Sequence, residues 1–137
     1  MLPDAVTALI REEQARSGGR FIARPDLDAY LDKLGRHADA LIDLRAGRCL
    51  GVVAYYANDV ESRRAFIPLV LVAPDARGQG LAGLLVGGVL DLCRARGFTR
   101  CGLEVRADNR AALSAYRRLG FEMVREREGI LLMEVAL

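Results

Sequence analysis

Apolar residues recur along this chain at two different spacings, and the spacing separates helical segments from strands. Between Leu81 and Leu92 they lie three or four residues apart, which is the period of one face of an α-helix. The same period, with polar or proline starts and glycine stops, predicts helices at Asp4–Arg16, Pro25–His37, Leu81 to about Gly97, and Asn109–Leu119. Shorter apolar runs bounded by turn residues predict strands at Ala40–Arg45, Leu50–Tyr56, Phe66–Val72, Arg100–Arg106, Phe121–Glu126 and Ile130–Val135.

The order of these elements predicts an α/β (α+β) fold, in which a mixed sheet carries helices on both faces. One hairpin turns at Ala46–Gly47–Arg48 and another at Glu128–Gly129. Pro68 cannot donate a ladder hydrogen bond, so it predicts a bulge or one-sided pairing in the third strand. Gly87 and Gly88, inside the third helix, predict close packing of that helix against the sheet.

Composition narrows the class of protein. With 137 residues, 52% of them apolar, and no low-complexity tract, the chain is expected to form one domain over residues 1–137. The net charge is only +2, and the arginines are not interleaved with aromatic residues, which disfavours nucleic-acid binding. The longest apolar run, Ile67 to Ala73, is too short to span a bilayer, and no signal peptide is visible. Widely spaced Cys49, Cys93 and Cys101 indicate reduced thiols and a cytoplasmic location.

A strand that runs into a glycine-rich loop and then into a helix forms an anion site. Here the strand ends near Val72, and Gly78 and Gly80 precede the helix that begins at Leu81. The first N–H groups of a helix have no intrahelical partners, and the helix dipole favours negative charge there. Because glycine has no side chain, a phosphate can approach its backbone closely. This segment therefore predicts a phosphate-bearing ligand.

The letters Gly78-x-Gly80-x-x-Gly83 also match the dinucleotide-binding fingerprint, with Glu104 about 20 residues further on. Two observations argue against that interpretation. In the dinucleotide fold the strand leads almost directly into the first glycine, whereas here residues 73–77 intervene. Too few residues follow the strand at Arg100–Arg106 for the remaining strand–helix units of that fold. A P-loop is weaker still, because no Lys-Ser/Thr pair follows the glycines.

Two motifs together resemble those of one family. The first is Arg77-x-x-Gly80-x-Ala82, which follows a strand ending in Val72-x-Pro74. The second is Leu103-Glu104-Val105-Arg106-x-x-Asn109-x-x-Ala112-x-x-x-Tyr116-x-x-x-Gly120-Phe121. In this order and at this spacing they resemble the GCN5-related N-acetyltransferases, the GNAT superfamily. The resemblance implies a mixed, mostly antiparallel central sheet that is splayed at the strand holding acetyl-CoA.

The resemblance also implies acetyl-CoA as co-substrate, direct attack by a primary amine, and neither a metal nor a covalent enzyme intermediate. The coenzyme pyrophosphate would bind the N–H groups of Arg77, Gly78, Gln79, Gly80, Leu81 and Ala82. The strand would lend backbone groups to the pantetheine and the thioester oxygen at Val70, Leu71 and Val72, and Asn109 would contact the coenzyme. Each position also has a structural interpretation: core packing for the strand, a solvated arginine at Arg77, and a helix N-cap at Asn109.

Acetyl transfer needs a proton for the departing thiolate and a base for the amine. In the family, a tyrosine at the position of Tyr116 donates that proton, although its ring could simply belong to the core. Many members carry a glutamate near the start of the glycine-loop strand, but Phe66 stands there in this chain. Glu104 is the substitute base that the resemblance offers. Its alternative role is a structural carboxylate paired with Arg106 or a neighbouring strand.

The acceptor is the least defined part of the predicted site. Its pocket is expected from the first two helices, the loop Asn58–Arg64 and the C-terminal hairpin. In that loop, Asp59 and Glu61 could act through water or attract a cationic acceptor. The sequence leaves open a small-molecule amine and a peptide N-terminus, and the run at 103–106 resembles the ribosomal-protein alanine acetyltransferases.

Two further alternatives stay open. A coenzyme-A-binding module with little or no catalysis is the alternative to an enzyme, because no carboxylate stands at Phe66. Family members usually begin with a strand before the first helix, whereas the helix predicted here starts at Asp4. A partner subunit could complete that edge of the sheet, so a homodimer is one expected form.

Overall fold

Six strands form one sheet, and four helices pack on its two faces, in the computed structural model, which describes residues 1–137. The helices are α1 (Asp4–Arg16), α2 (Leu27–His37), α3 (Leu81–Ala95) and α4 (Arg110–Arg118). The strands are β1 (Asp39–Arg45), β2 (Arg48–Tyr56), β3 (Arg64–Val72), β4 (Arg100–Arg106), β5 (Glu122–Arg127) and β6 (Ile130–Ala136). Every predicted element is present, and its ends agree with the prediction to within two residues.

Side-chain caps explain where two of the helices begin. The carboxylate of Asp26 accepts a hydrogen bond from the Ala29 N–H, and the side chain of Asn109 accepts one from the Ala112 N–H. Both capping residues therefore lie one position outside the helix, which is why α2 and α4 start later than predicted. A single turn of 3-10 helix, Pro74–Ala76, lies between β3 and the glycine loop.

The strand order is β1-β2-β3-β4-β6-β5, and only β3 and β4 are parallel. The two hairpins turn where the sequence predicts, through pairs of residues with positive φ at Ala46–Gly47 and Glu128–Gly129. Such pairs give turns whose twist matches that of the flanking strands. The parallel pair is joined by α3, as a crossover connection requires. The fold is thus the predicted mixed, mostly antiparallel sheet.

Two hydrophobic cores lie on opposite faces of the sheet. The larger core, 20 buried residues, joins α3 and α4 to β2, β3, β4 and β6. The smaller core, 14 buried residues, joins α1 and α2 to β2 and β3, and Ala40 and Ile42 of β1 pack against it. In the larger core, a Cβ at Gly88 would lie 2.8 Å from the Leu41 side chain, which confirms the close approach of α3.

Strand β3 passes from one core to the other at a bulge. Its pairing with β2 shifts register around Tyr55, so Ile67 and Pro68 lie opposite one residue of β2. Before the bulge, Ile67 belongs to the larger core; after it, Leu69 belongs to the smaller one. Pairing with β4 ends at Ile67–Leu103, and the two strands diverge beyond that pair. The bulge and the one-sided pairing expected from Pro68 are both present, and the sheet is splayed there.

No helix of the structure is long and apolar enough to cross a membrane. All three cysteines are free and buried, with Cys93 and Cys101 in the larger core and Cys49 in the smaller one. They lie in the packed interior and form no disulfide.

Candidate active site

A cleft of about 840 Å³ opens where β3 and β4 diverge. One wall is formed by residues 67–70 of β3 and the other by residues 103–106 of β4. Asn109 and Tyr116 line it from the side of α4, and the loop between α1 and α2 lines it from the opposite face. The predicted catalytic pair, Tyr116 and Glu104, therefore opens onto the same space.

The strand residues predicted to hold the coenzyme are not equivalent. The Ala73 N–H donates to the Leu50 carbonyl, and backbone groups of an antiparallel pair alternate in direction. By this alternation the groups of Leu71 face β2, whereas those of Val70 and Val72 face the gap. The side chain of Leu71 is buried in the smaller core. Leu71 is thus paired with β2, and of the three predicted residues Val70 and Val72 are the ones with backbone groups toward the gap. Contact between these residues and a coenzyme stays a prediction.

The glycine loop presents a row of unpaired donors. From Gly78 to Gly83, none of the six backbone N–H groups donates to another group in the chain. Gly78 and Gly80 have φ values of 79° and 78°, a region that residues with a Cβ avoid. A Cβ at either glycine would have no neighbour within 4 Å, so the space beside the loop is open. Together with the N-terminus of α3, this arrangement suits a multiply charged anion.

Arg77 makes two contacts within the chain, although its side chain is half-exposed. Its Nε donates to the Val72 carbonyl at 3.1 Å, and its Nη2 lies 3.1 Å from the carboxylate of Glu13 on α1. The guanidinium thus turns back toward β3 and α1. Because the side chain is half-exposed, the solvated loop arginine stays open as the structural alternative. Contact between Arg77 and a phosphate stays a prediction.

Tyr116 belongs to the core with its ring and opens onto the cleft with its hydroxyl, and its role as proton donor stays a prediction. Its side chain is 5% exposed and packs against Phe121, with ring centroids 5.8 Å apart, so its ring belongs to the larger core. Its hydroxyl has no hydrogen-bond partner in the chain and is not fully buried, so it reaches the surface of the cleft. Burial raises the pKa of Tyr116 to about 12. At neutral pH the hydroxyl is therefore protonated and able to donate.

Glu104 lies on the opposite side of β4 from the buried Leu103 and Val105, and it is exposed. It forms no ion pair with Arg106 or with any other residue, because none of the ion pairs of the chain includes it. The structural carboxylate considered above is thus not what is observed. Phe66 lies nearby on the same face, 3.4 Å from where a Cβ of Gly102 would be.

The other acidic candidates lie outside the cleft. Hydrogen bonds from Ser62 hold the pKa of the Asp59 carboxyl below its usual range, and the Glu61 N–H also donates to that carboxylate. Asp59 therefore stabilises its own turn. Contrary to expectation, the loop Asn58–Arg64 contributes nothing to the lining of the cleft. No group of three or more metal-ligating side chains is found in the structure.

Sequence reasoning missed the segment that lines the acceptor side. Ser17 and residues 20–23, between α1 and α2, face the cleft. The amide of Gln14 braces this loop: its Nε2 donates to the carbonyls of Gly19 and Ile22, and its Oε1 accepts the Ile22 N–H at 2.7 Å. The Ser-Gly-Gly run indicated only a helix stop. The apolar pair Phe21-Ile22, which follows that run after Arg20, was the available signal that this loop packs inward.

Comparison with known proteins supports the geometric picture. Residues 7–121 match the acetyltransferase (GNAT) family. The chain belongs to this family. A mycothiol acetyltransferase from Clavibacter michiganensis is 37% identical over 100 residues, which cover 73% of this chain. The match spans only 29% of that relative's length.

Solved GNAT structures share the fold at lower identity. The ribosomal-protein-S18-alanine N-acetyltransferase from Escherichia coli superposes with a TM-score of 0.75 at 23% identity, over 97% of this chain and 87% of that one. The PaiA N-acetyltransferase from Thermoplasma acidophilum, solved in complex with coenzyme A, gives a TM-score of 0.67 at 14% identity. That match covers 100% of this chain and 80% of the other. At these identities the similarity describes the fold.

Proposed function

We propose that this GNAT protein transfers an acetyl group from acetyl-CoA to a primary amine by direct attack. The observation that carries the proposal is the cleft itself. It places a buried, protonated tyrosine and an unpaired carboxylate on a gap between strands, and six free N–H groups follow the end of one of those strands. Each feature alone has a structural explanation, whereas their juxtaposition provides the groups that acyl transfer needs.

In the proposed complex, the pyrophosphate of acetyl-CoA binds the N–H groups of residues 78–82. The Arg77 N–H, which was also expected to contribute, donates to the Pro74 carbonyl at 3.4 Å. The pantetheine lies in the gap between β3 and β4, where the backbone groups of Val70 have no strand partner. Val70 lines the cleft, whereas Val72 does not. Val70 is therefore the residue whose N–H is proposed to meet the thioester oxygen. Asn109, whose side-chain oxygen caps α4, lines the same gap and contacts the coenzyme.

The proposed reaction uses two side chains for two protons. Glu104 accepts a proton from the acceptor ammonium, and the neutral amine then attacks the thioester carbon. The carbon–nitrogen bond forms, the Val70 N–H stabilises the negative oxygen, and the carbon–sulfur bond breaks as the intermediate collapses. Tyr116 donates its proton to the departing thiolate, and the nitrogen releases its remaining extra proton to water to give the neutral amide. Tyr116 regains a proton from water and Glu104 loses the one it accepted, so that one proton in total leaves to the solvent. The products are an N-acetylated amine and coenzyme A.

The acceptor is a small-molecule amine or a peptide N-terminus. It would enter between the loop at residues 20–23 and the exposed side of β4, which no helix covers. Arg20, Arg106 and Asp108 line this entrance together with Glu104. An acceptor that carries a carboxylate or backbone carbonyl close to its amine would match these charges.

A coenzyme-A-binding module with little or no catalysis is the second candidate. The observation that favours it is Phe66, which occupies the position where many relatives of this fold carry a glutamate. A screen separates the two: acetyl-CoA is incubated with peptides, polyamines, amino sugars and amino acids, and released thiol is measured. Turnover with any acceptor supports the enzyme, and a chain that binds coenzyme A but turns over none of them supports the module.

Coenzyme binding is tested first, by thermal unfolding with and without acetyl-CoA. A ligand that binds only the folded chain at 100 times its Kd stabilises it by about 2.7 kcal/mol, which raises the unfolding midpoint by several degrees. The same melt with NAD is the control for the dinucleotide interpretation. No shift with saturating acetyl-CoA would overturn both candidate functions.

A further inference from the structure

The carboxylate of Glu13 connects α1 to the start of the glycine loop. Its Oε2 lies 3.1 Å from Nη2 of Arg77 and 2.7 Å from Nη1 of Arg16. The same Arg77 side chain donates through Nε to the Val72 carbonyl. One guanidinium therefore ties together α1, the end of β3 and the loop. The Glu13 side chain is only 13% exposed, although it is charged.

This arrangement is electrostatically unexpected beside an anion site. A carboxylate close to the glycine loop repels a bound pyrophosphate, and it also holds the arginine that could otherwise face it. If the site had only to attract the pyrophosphate by charge, a neutral residue would serve better than Glu13 at this position. The observed contact instead suits a geometric role, because the loop contains two glycines with positive φ and nothing packs against either of them.

We propose that Glu13 is a positioning residue for the donor. Through Arg77 it fixes the start of the glycine loop in the conformation that leaves the N–H groups of residues 78–83 free and aligned. This inference rests on the proposed function, since it assigns the residue that prepares the same coenzyme site. A second anchor, the ion pair of Arg48 with Asp75, holds the preceding 3-10 turn and stays intact when Glu13 is changed.

The two possible roles of the contact between Glu13 and Arg77 predict opposite changes in the affinity for coenzyme A. If Glu13 merely competes with phosphate for Arg77, then Glu13→Gln frees the arginine and coenzyme A binds more tightly. If Glu13 positions the loop, then the same substitution weakens binding. We expect weakening by roughly fivefold, the order of the coupling between residues in one network. The measurement is isothermal titration with coenzyme A on the full chain.

A double-mutant cycle tests whether the effect passes through Arg77. In the Arg77→Ala background, Glu13→Gln should cause no further loss, because the contact it breaks is already gone. The matched control is Asp28→Asn. It removes one negative charge from the ion pair between Arg11 of α1 and Asp28 of α2, and neither residue forms an ion pair with Arg77. Its affinity for coenzyme A should equal that of the wild type.

Four outcomes overturn the proposal. The first is unchanged or tighter binding of coenzyme A by Glu13→Gln, and the second is an equal loss of affinity in Asp28→Asn. The third is a loss of affinity in the double variant equal to the sum of the two single losses. The fourth is a wild-type chain that does not bind coenzyme A, which also overturns the proposed function. Should Glu13→Gln fail to fold, Glu13→Asp replaces it. The shorter side chain keeps the charge but withdraws the carboxylate from Arg77, so binding weakens if Glu13 positions the loop and tightens if Glu13 only competes for the arginine.

Discussion

The face of the sheet under α3 and α4 is covered by one core that reaches from β2 to β6, whereas the face under α1 and α2 is covered over β1, β2 and β3 and not over β4. On β4 the contrast appears within one strand. Leu103 and Val105 are buried in the larger core, and Glu104 between them is exposed on the other side. The candidate site lies where the smaller core ends.

This difference explains how one cleft can hold both a buried phenol and a carboxylate that is exposed to water. Tyr116 comes from the covered face, where burial raises its pKa and keeps it protonated. Glu104 comes from the uncovered face, where a carboxylate needs no partner because water solvates it. The gap opened by Pro68 connects the two environments. Four measurements test this contrast.

The largest expected effect belongs to Tyr116→Phe, on the covered face. Removing the proton donor should lower kcat for the best acceptor by about a hundredfold to ten-thousandfold, the range for general acid catalysis. Affinity for acetyl-CoA and the unfolding midpoint should change little, because the hydroxyl has no partner in the chain. Steady-state kinetics and a thermal melt provide both readouts. An unchanged kcat would mean that water protonates the thiolate.

Glu104→Gln, on the uncovered face, should lower kcat by about a hundredfold if the carboxylate takes the amine proton. The matched control is Glu134→Gln, which removes an acid from the strand beside β4, where it pairs with Arg64 and Arg100. The control should keep its activity. Equal losses in the two variants would indicate a general effect of negative charge on a cationic acceptor.

The effect of pH on stability, through the buried cysteines, provides a comparison of the two cores. Burial raises the pKa of Cys101, in the larger core, to about 12 from an ordinary 9.0, and it also raises the pKa of Cys49, in the smaller one. A raised pKa means that the unfolded chain loses its proton first. The corresponding stability is complete below pH 9 and is lost as the pH rises toward 12.

Between pH 9 and pH 11 the Cys101 term amounts to about 2 to 3 kcal/mol. Urea unfolding across this range should therefore show a falling free energy of unfolding in the wild type and a flatter profile in Cys101→Ala. Cys49→Ala should flatten the profile less, because a backbone hydrogen bond of Gly51 lowers the pKa of the Cys49 thiol and so opposes the effect of burial. Equal flattening would show that the two cores desolvate their thiols alike.

The smallest expected effect concerns the loop that borders the uncovered face. Gln14→Met keeps the size of the side chain but removes its three hydrogen bonds to the loop. Because these bonds are exposed or only part-buried, we expect the three together to contribute about 1 kcal/mol, so local opening should become several-fold more frequent. Tryptic cleavage after Arg20 reports that opening. The control is Glu12→Met, at an exposed position of the same helix. Equal cleavage of both variants would exclude a bracing role for Gln14.

Much of the fold was predictable because its signals are local. Helix and strand periods, the capping residues Asp26 and Asn109, and the two-residue turns each depend on a few neighbouring positions. Pro68 is the clearest case, since the absence of one N–H group predicts both the bulge and the gap beside it. The motif spacing from Arg77 to Phe121 likewise indicated the family without any knowledge of contacts.

The rest depended on contacts between distant residues, which no local pattern encodes. Arg77 meets Glu13 across 64 positions, and only the packing of α1 beside the end of β3 brings them together. The pairing of Leu71 with β2, the position of the α1–α2 loop over the cleft and the raised pKa of Tyr116 have the same origin. The sequence by itself determined which groups are available, because their identities and short spacings are local. Tertiary structure decided which of them are buried, paired or free, because desolvation and partner choice depend on what folds against them.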